Sequence, residues 1–218
     1  TIEDLRTEVG WILALVAIYR IGTQVVLAGI DPAMLVQLRA QTGTGLLSLL
    51  DMFSGGAFSN ASVFALGVMP YISASIVVQL LTIAIPYFQK MQREGESGRN
   101  KINRITRYLT VAILLFQGPS YLVNLKVQML HAGSVMPEGL WFSISSTLIL
   151  CAGSMFVMWL GERMTDRGIG NGISMLIMIG IIARFPAAIM QEFISRTTDA
   201  AGGLVMFLAE IVILLVVI

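Results

Sequence analysis

The residues from Asp51 to Leu81, DMFSGGAFSNASVFALGVMPYISASIVVQLL, constrain this chain more than any other stretch. An apolar piece of half membrane length, 45–53, stops at Ser54, Gly55 and Gly56. After a polar turn at Ser59, Asn60, Ala61 and Ser62 the sequence resumes as a long apolar helix, with Pro70 near its start and Gln79 inside it. Water is absent from the bilayer core, so irregular backbone survives there only where protein covers it or where it lines an aqueous cavity. A simple anchor has no use for a half-length segment folded back ahead of a spanning one. The pattern predicts a path through the membrane.

Composition sets the class. Hydrophobic residues make up 56% of the 218 and charged residues 12%, against about 25% charged in soluble domains. The expectation is an all-α polytopic membrane protein. A span needs roughly 20 apolar residues, which predicts helices over 9–27, 61–85, 107–123, 140–160 and 173–190 and a truncated sixth over 203–218. The piece 45–53 is too short to cross. The start, TIEDLRTE, has no basic region ahead of an apolar core, so no cleavable signal is expected. The last apolar run stops without a flanking loop, and the chain reads as one half of a longer protein.

Charge orients the spans. The loop 86–106 holds Lys90, Arg93, Arg99, Lys101 and Arg104, and the loop 161–171 holds Arg163 and Arg167. The loops 31–45, 125–139 and 185–202 hold one basic residue each: Arg39, Lys126 and Arg196. The positive-inside rule puts 86–106 and 161–171 in the cytoplasm. Alternation then gives a cytoplasmic N-terminus and places 28–60, 124–139 and 186–202 outside. The segments 128–139 and 191–202 read as polar loops.

Chemistry is sparse. There is no nucleophile elbow, zincin helix or P-loop. The single cysteine, Cys151, sits in an apolar helix as packing, and the single histidine, His131, allows no histidine metal cluster. No catalytic residue, metal or cofactor is expected, and the net charge of +1 marks no specific nucleic-acid site. Gly168, Gly170 and Gly172 lack the preceding strand of a dinucleotide loop; they read as a flexible turn in which Asn171 caps the next helix. Arg20 and Glu210 are ionisable residues inside apolar runs, and Arg20 is expected to snorkel or to pair within the bundle. Val68 and Ile72 lie four apart, as do Ile173 and Ile177, so each pair shares a helix face. Such stiff β-branched pairs can form a narrow apolar constriction, although spacing alone favours ordinary lipid-facing or core packing, because apolar pairs four apart occur throughout the chain.

Three segments resemble the signature stretches of the SecY-type (SecY/Sec61-alpha) subunit of the protein-conducting translocation channel. They are MFSGGAFSNASVFALGVMPYISASIVVQLL (52–81), EGESGRNKINRITRY (94–108) and MWLGERMTDRGIGNGIS (158–174). IYRIG (18–22) and GIDP (29–32) fit the same family. The match runs along essentially the whole chain but only the N-terminal half of that ten-helix family. The resemblance implies a clamshell of two inverted halves around an hourglass pore, in which 1–190 is the N-terminal half. Residues 191–202 would be the external hinge and 203–218 the start of the sixth helix. A plug over about 45–58, including Leu50, Met52, Phe53, Ser54, Gly55 and Gly56, would close the outer funnel. Val68, Ile72, Ile173 and Ile177 fall at the hydrophobic pore ring, with valine at the first position making the ring slightly wider there. The helices 61–85 and 106–123, with Ser73, Gln79 and Gln117, would form this half's side of a lateral gate. Arg99, Lys101, Arg104, Arg163 and Arg167 would lie in the cytoplasmic loops.

The implied partners are SecE-type and SecG-type subunits, a SecA motor or a ribosome, signal-bearing preproteins and membrane lipid. The implied location is a bacterial inner membrane. Such a channel is passive and has no nucleotide site of its own. The large loops that receive the motor or ribosome would belong to the other half. Two competing classes are a small-solute secondary transporter, which needs midplane ionisable residues, and an intramembrane enzyme, which needs a catalytic constellation.

Overall fold

The computed structural model describes residues 2–30, 46–131, 139–167, 170–198 and 203–217. Among them are eight helices: α1 (Ile2–Gly22), α2 (Leu46–Phe53), α3 (Met69–Ala84), α4 (Pro86–Arg93), α5 (Glu96–His131), α6 (Leu140–Arg167), α7 (Gly172–Thr198) and α8 (Gly203–Val217). The only extended pairing among these residues is an isolated antiparallel bridge between Val26 and Ser62. α3 packs on α5, α5 on α6, α6 on α7 and α7 on α8, while α1 rests on α6 and α2 on α7.

Among the described residues, three helices are long and apolar enough to cross a bilayer: Glu96–Leu130, Leu140–Asp166 and Gly172–Ser195. A fourth span arises if α3 and α4, bent by 100° at Ile85, count as one. The bend follows from Pro86, which pushes the preceding residue to extended backbone (Ile85 φ −111°, ψ 120°). α8 is only 15 residues long, and α1 carries Glu3, Asp4, Arg6 and Glu8 in its first turns. Among the described residues the protein is thus an all-helical membrane protein with three or four helices of membrane-spanning length and hydropathy.

Several boundaries differ from the sequence reading. The helix expected over 61–85 begins at Met69, because Gly67 turns left-handed (φ 53°) and Pro70 belongs in a first helical turn. The first helix ends at Gly22 rather than continuing to 27, since Val25 and Leu27 give their backbone groups to 61–63. The basic segment 86–106 is a helical hairpin, α4 and the start of α5, turned at Gly95 (φ 75°). Arg99, Lys101 and Arg104 therefore lie on α5, and Arg163 and Arg167 on α6, not in loops. The physical reason is length: 36 residues of α5 extend about 54 Å, well beyond a ~30 Å hydrocarbon core, and the excess carries the basic residues. Likewise 128–131 continue α5 and 191–198 continue α7, where loops were expected. The expected segments 31–45, 132–138 and 199–202 lie outside the described residues.

Two apolar clusters form the core. One joins Leu27, Ile30, Ala61, Ala65, Tyr121, Leu122, Leu125, Met129 and Leu150. The other joins Ile12, Leu15, Tyr19, Ala57, Phe64, Val68, Val157, Leu160, Met164 and Leu176. Both draw on residues 57–68. The non-helical stretch after α2 is the wedge between them.

Candidate functional site

The site is built around residues 51–68. α2 ends in a Schellman turn: Gly56 N–H donates to the Asp51 carbonyl (2.9 Å) and Gly55 N–H to Met52 (3.1 Å). Gly55 stands at the left-handed position with φ 64°, which explains why Ser54, Gly55 and Gly56 break the apolar run.

Beyond this turn the chain has no helix to satisfy its polar groups, yet Ser54, Asp51, Ser59, Asn60 and Ser62 are buried. The groups are paired from within and from three helices. Ser59 N–H donates to the Asp51 carboxylate (2.8 Å) and Phe58 N–H to Ser54 Oγ (3.1 Å). From α1, Tyr19 Oη–H donates to the Ser54 carbonyl (3.2 Å) and Arg20 to the Gly55 carbonyl (3.3 Å). From α5, Tyr121 Oη–H donates to the Phe58 carbonyl (2.8 Å). From α7, Arg184 pairs with the Asp51 carboxylate at 2.5 Å. Leu27 N–H donates to the Ala61 carbonyl and Val63 N–H to Val25, stitching the segment to the strand-like exit of α1. Irregular backbone is thereby covered by protein, as the membrane interior demands.

The expected ring residues converge on one apolar cluster. Val68 is buried at 4% exposure, and Ile72, Ile173 and Ile177 are partly buried against its cluster. On α7, Ile173, Ile177, Gly180 and Arg184 follow at intervals of four, three and four, which is one face of a helix. The start of that helix is capped as expected: the Asn171 side-chain oxygen accepts from Ile173 N–H (3.1 Å) and Ser174 N–H (3.4 Å).

The expected gate residues separate into two cavities. Ser73 and Gln117 line one of about 280 Å³ with Ser54, Phe58, Tyr121 and Asn124, where the buried side-chain oxygen of Gln117 has no partner among the described residues. Gln79 lines another of about 450 Å³, with Tyr71, Arg99, Asn103 and Thr106, and donates to Ser75 Oγ (3.3 Å). Six helical residues separate Ser73 from Gln79, which turns them about 120° apart. Of the plug residues, Met52 and Phe53 are exposed, Ser54, Gly55 and Gly56 are buried, and the side chain of Leu50 lies outside the described residues, as does that of Arg167.

Sequence reasoning passed over Arg184, Tyr19 and Tyr121 and gave Asp51 no role. Arg184 was legible: it is a lone charge in the apolar run 173–190, the same signal that marks Arg20.

Among the described residues, a helical bundle with several membrane-length apolar helices, wrapped round a buried and hydrogen-bonded break, defines a polytopic membrane protein with a buried non-helical segment. The family model described as SecY matches residues 62–218, well over half of the chain. The protein translocase subunit SecY of Buchnera aphidicola subsp. Schizaphis graminum is 42% identical over 97% of this chain and 48% of its own length. That of Escherichia coli K12 is 40% identical over 96% of this chain and 47% of its own, and that of Pseudomonas aeruginosa 44% identical over 88% and 42%. The chain belongs to the SecY family, and it spans about half the length of the curated relatives it matches.

Proposed function

We propose that this chain is the N-terminal half of the central pore subunit of a Sec translocon. The complete channel passes unfolded secretory polypeptides across the membrane and releases apolar segments sideways into lipid. Residues around 45–58 act as the plug. Val68, Ile72, Ile173 and Ile177 supply this half's share of an apolar ring that seals by closing on itself and by dewetting. A ring without charge suits a path for chains of any sequence, because it holds none of them strongly.

One observation carries the reading: the four ring candidates, from two distant parts of the chain, converge on one apolar cluster, Val68 within it and Ile72, Ile173 and Ile177 packed against it, which also takes in Ala57 and Phe64 of the buried non-helical segment. The two cavities along α3 and α5 support an opening seam between those helices, with Ser73 and Gln117 at one level and Gln79 at another. The channel is passive, driven by a SecA-type motor or a ribosome and assembled with SecE-type and SecG-type subunits. It lies in a bacterial inner membrane with the N-terminus in the cytoplasm and the basic ends of α5 and α6 on the same side. Residues 191–202 serve as the external hinge leading into the sixth helix, although 191–198 are helical.

The test is site-specific photocrosslinking of a stalled secretory chain in the full-length channel. Photoreactive residues at Ile72 and Ile177 are expected to give strong adducts, and one at the outward-facing Leu148 none. Absence of adducts at both ring positions, with the complex shown to be engaged, refutes the pore assignment and returns the transporter reading to the front.

A further inference from the structure

We propose that Asp51 and Arg184 form the latch that sets how readily the buried segment 51–68 leaves its seat. This rests on the channel reading above for its consequence, but not for its geometry. The pair joins the end of α2 to α7 across 133 residues of sequence at 2.5 Å. Its two sides are unequal: the Asp51 side chain is 6% exposed and the Arg184 side chain 41%. The carboxylate therefore has little solvation of its own and depends on Arg184 and the Ser59 N–H to hold its charge. The guanidinium keeps solvent access if the two part. When the segment moves toward water, Asp51 is hydrated in place of its lost partner and Arg184 stays on its helix. A pair buried on both sides would resist separation far more strongly.

The packing next to the latch tells the same story. A methyl group on Gly180 would lie 3.2 Å from the Phe53 carbonyl oxygen and 3.4 Å from Gly55 Cα, so α7 offers bare backbone to the segment one turn from Arg184. Gly56 takes the Arg184 guanidinium itself: a side-chain carbon there would stand 3.1 Å from Nη2. Seat and latch thus share the α7 face that carries Ile173 and Ile177. A movement of α7 that widens the apolar ring also pulls on the ion pair. A transported chain that opens the ring must supply the free energy the latch contributes, since a ligand shifts an equilibrium only by its differential affinity.

The experiment is a double-mutant cycle in the full-length channel, using Asp51→Asn, Arg184→Gln and both together. Two readouts are taken: hydrogen exchange at the amides of 55–63, and resting ion conductance in planar bilayers. Each single variant is expected to speed exchange at 55–63 by roughly 10- to 100-fold, with the double variant no faster than the faster single, because the coupling is already lost. Asn keeps the volume and the acceptor for Ser59, so global folding is preserved, and exchange in α6 serves as the internal check. Additive effects, or unchanged exchange in both single variants, overturn the latch whatever the conductance does. Non-additive exchange without any rise in resting conductance leaves the latch standing and counts against the channel reading instead.

Discussion

Two breaks in the apolar pattern look alike in sequence and differ in kind. The segment 51–68 and the hairpin turn around Gly95 each interrupt apolar runs with glycine and polar residues. The first is buried and finds its partners on α1, α5 and α7, 35 to 133 residues away in sequence. The second is exposed and held locally: Glu94 N–H donates to the Lys90 carbonyl, and Lys101 and Glu94 make an ion pair at 3.5 Å with both side chains more than half exposed. A break satisfied by its own neighbours adds nothing to the tertiary structure. A break satisfied by distant helices stores their stabilisation, and release of those contacts frees it.

This contrast predicts a graded series of effects on the full-length protein. The largest is Gly180→Leu, which drives a side chain into the Phe53–Gly55 backbone; overpacking here is expected to cost about 3 kcal/mol and appears as fast hydrogen exchange at Gly55 and Gly56. Tyr121→Phe removes the hydroxyl that serves the Phe58 carbonyl, with an expected loss of about 1 kcal/mol read from exchange at 56–63. Arg107→Ala breaks the two-pronged contact with Glu162 that ties α5 to α6 at 3.1 and 2.6 Å. With Arg107 half exposed, about 0.5 kcal/mol is expected in denaturant unfolding from detergent, and exchange in 55–63 stays unchanged. Smallest is Lys101→Ala at the exposed hairpin, with about 0.2 kcal/mol or less. If Lys101→Ala proved as costly as Tyr121→Phe, the distinction between the two breaks would collapse.

How much of this was legible follows from the range of each interaction. The stop at Ser54, Gly55 and Gly56 and the cap at Asn171 were readable because both are local: one needs a left-handed glycine, the other a side-chain acceptor two residues before the donor. Helix ends were misread outward from the membrane, since hydropathy falls at the water interface while α5 and α6 continue as helix through Arg104 and Arg163. Residues 61–68 were misread in the opposite direction. Their apolar composition resembles a span, but tertiary partners claim the backbone, and Ala61 itself is left-handed at φ 45°. The meeting of Val68 and Ile72 with Ile173 and Ile177 could not be had from spacing and entered only through family resemblance. The pairing of Asp51 with Arg184 had no local signal at all, although each charge could have been flagged by its apolar setting.

The most direct test of the central claim, that 51–68 is a closure which moves when the channel works, is pulsed hydrogen exchange on the complete translocon at rest and with a secretory chain arrested in transit. The account predicts slow exchange at Gly56, Ser59, Ser62 and Val63 at rest, where each N–H has a partner, and rapid exchange at the same amides once the chain is engaged. Amides that stay protected while a polypeptide occupies the pore would contradict it and make the segment a fixed part of the wall.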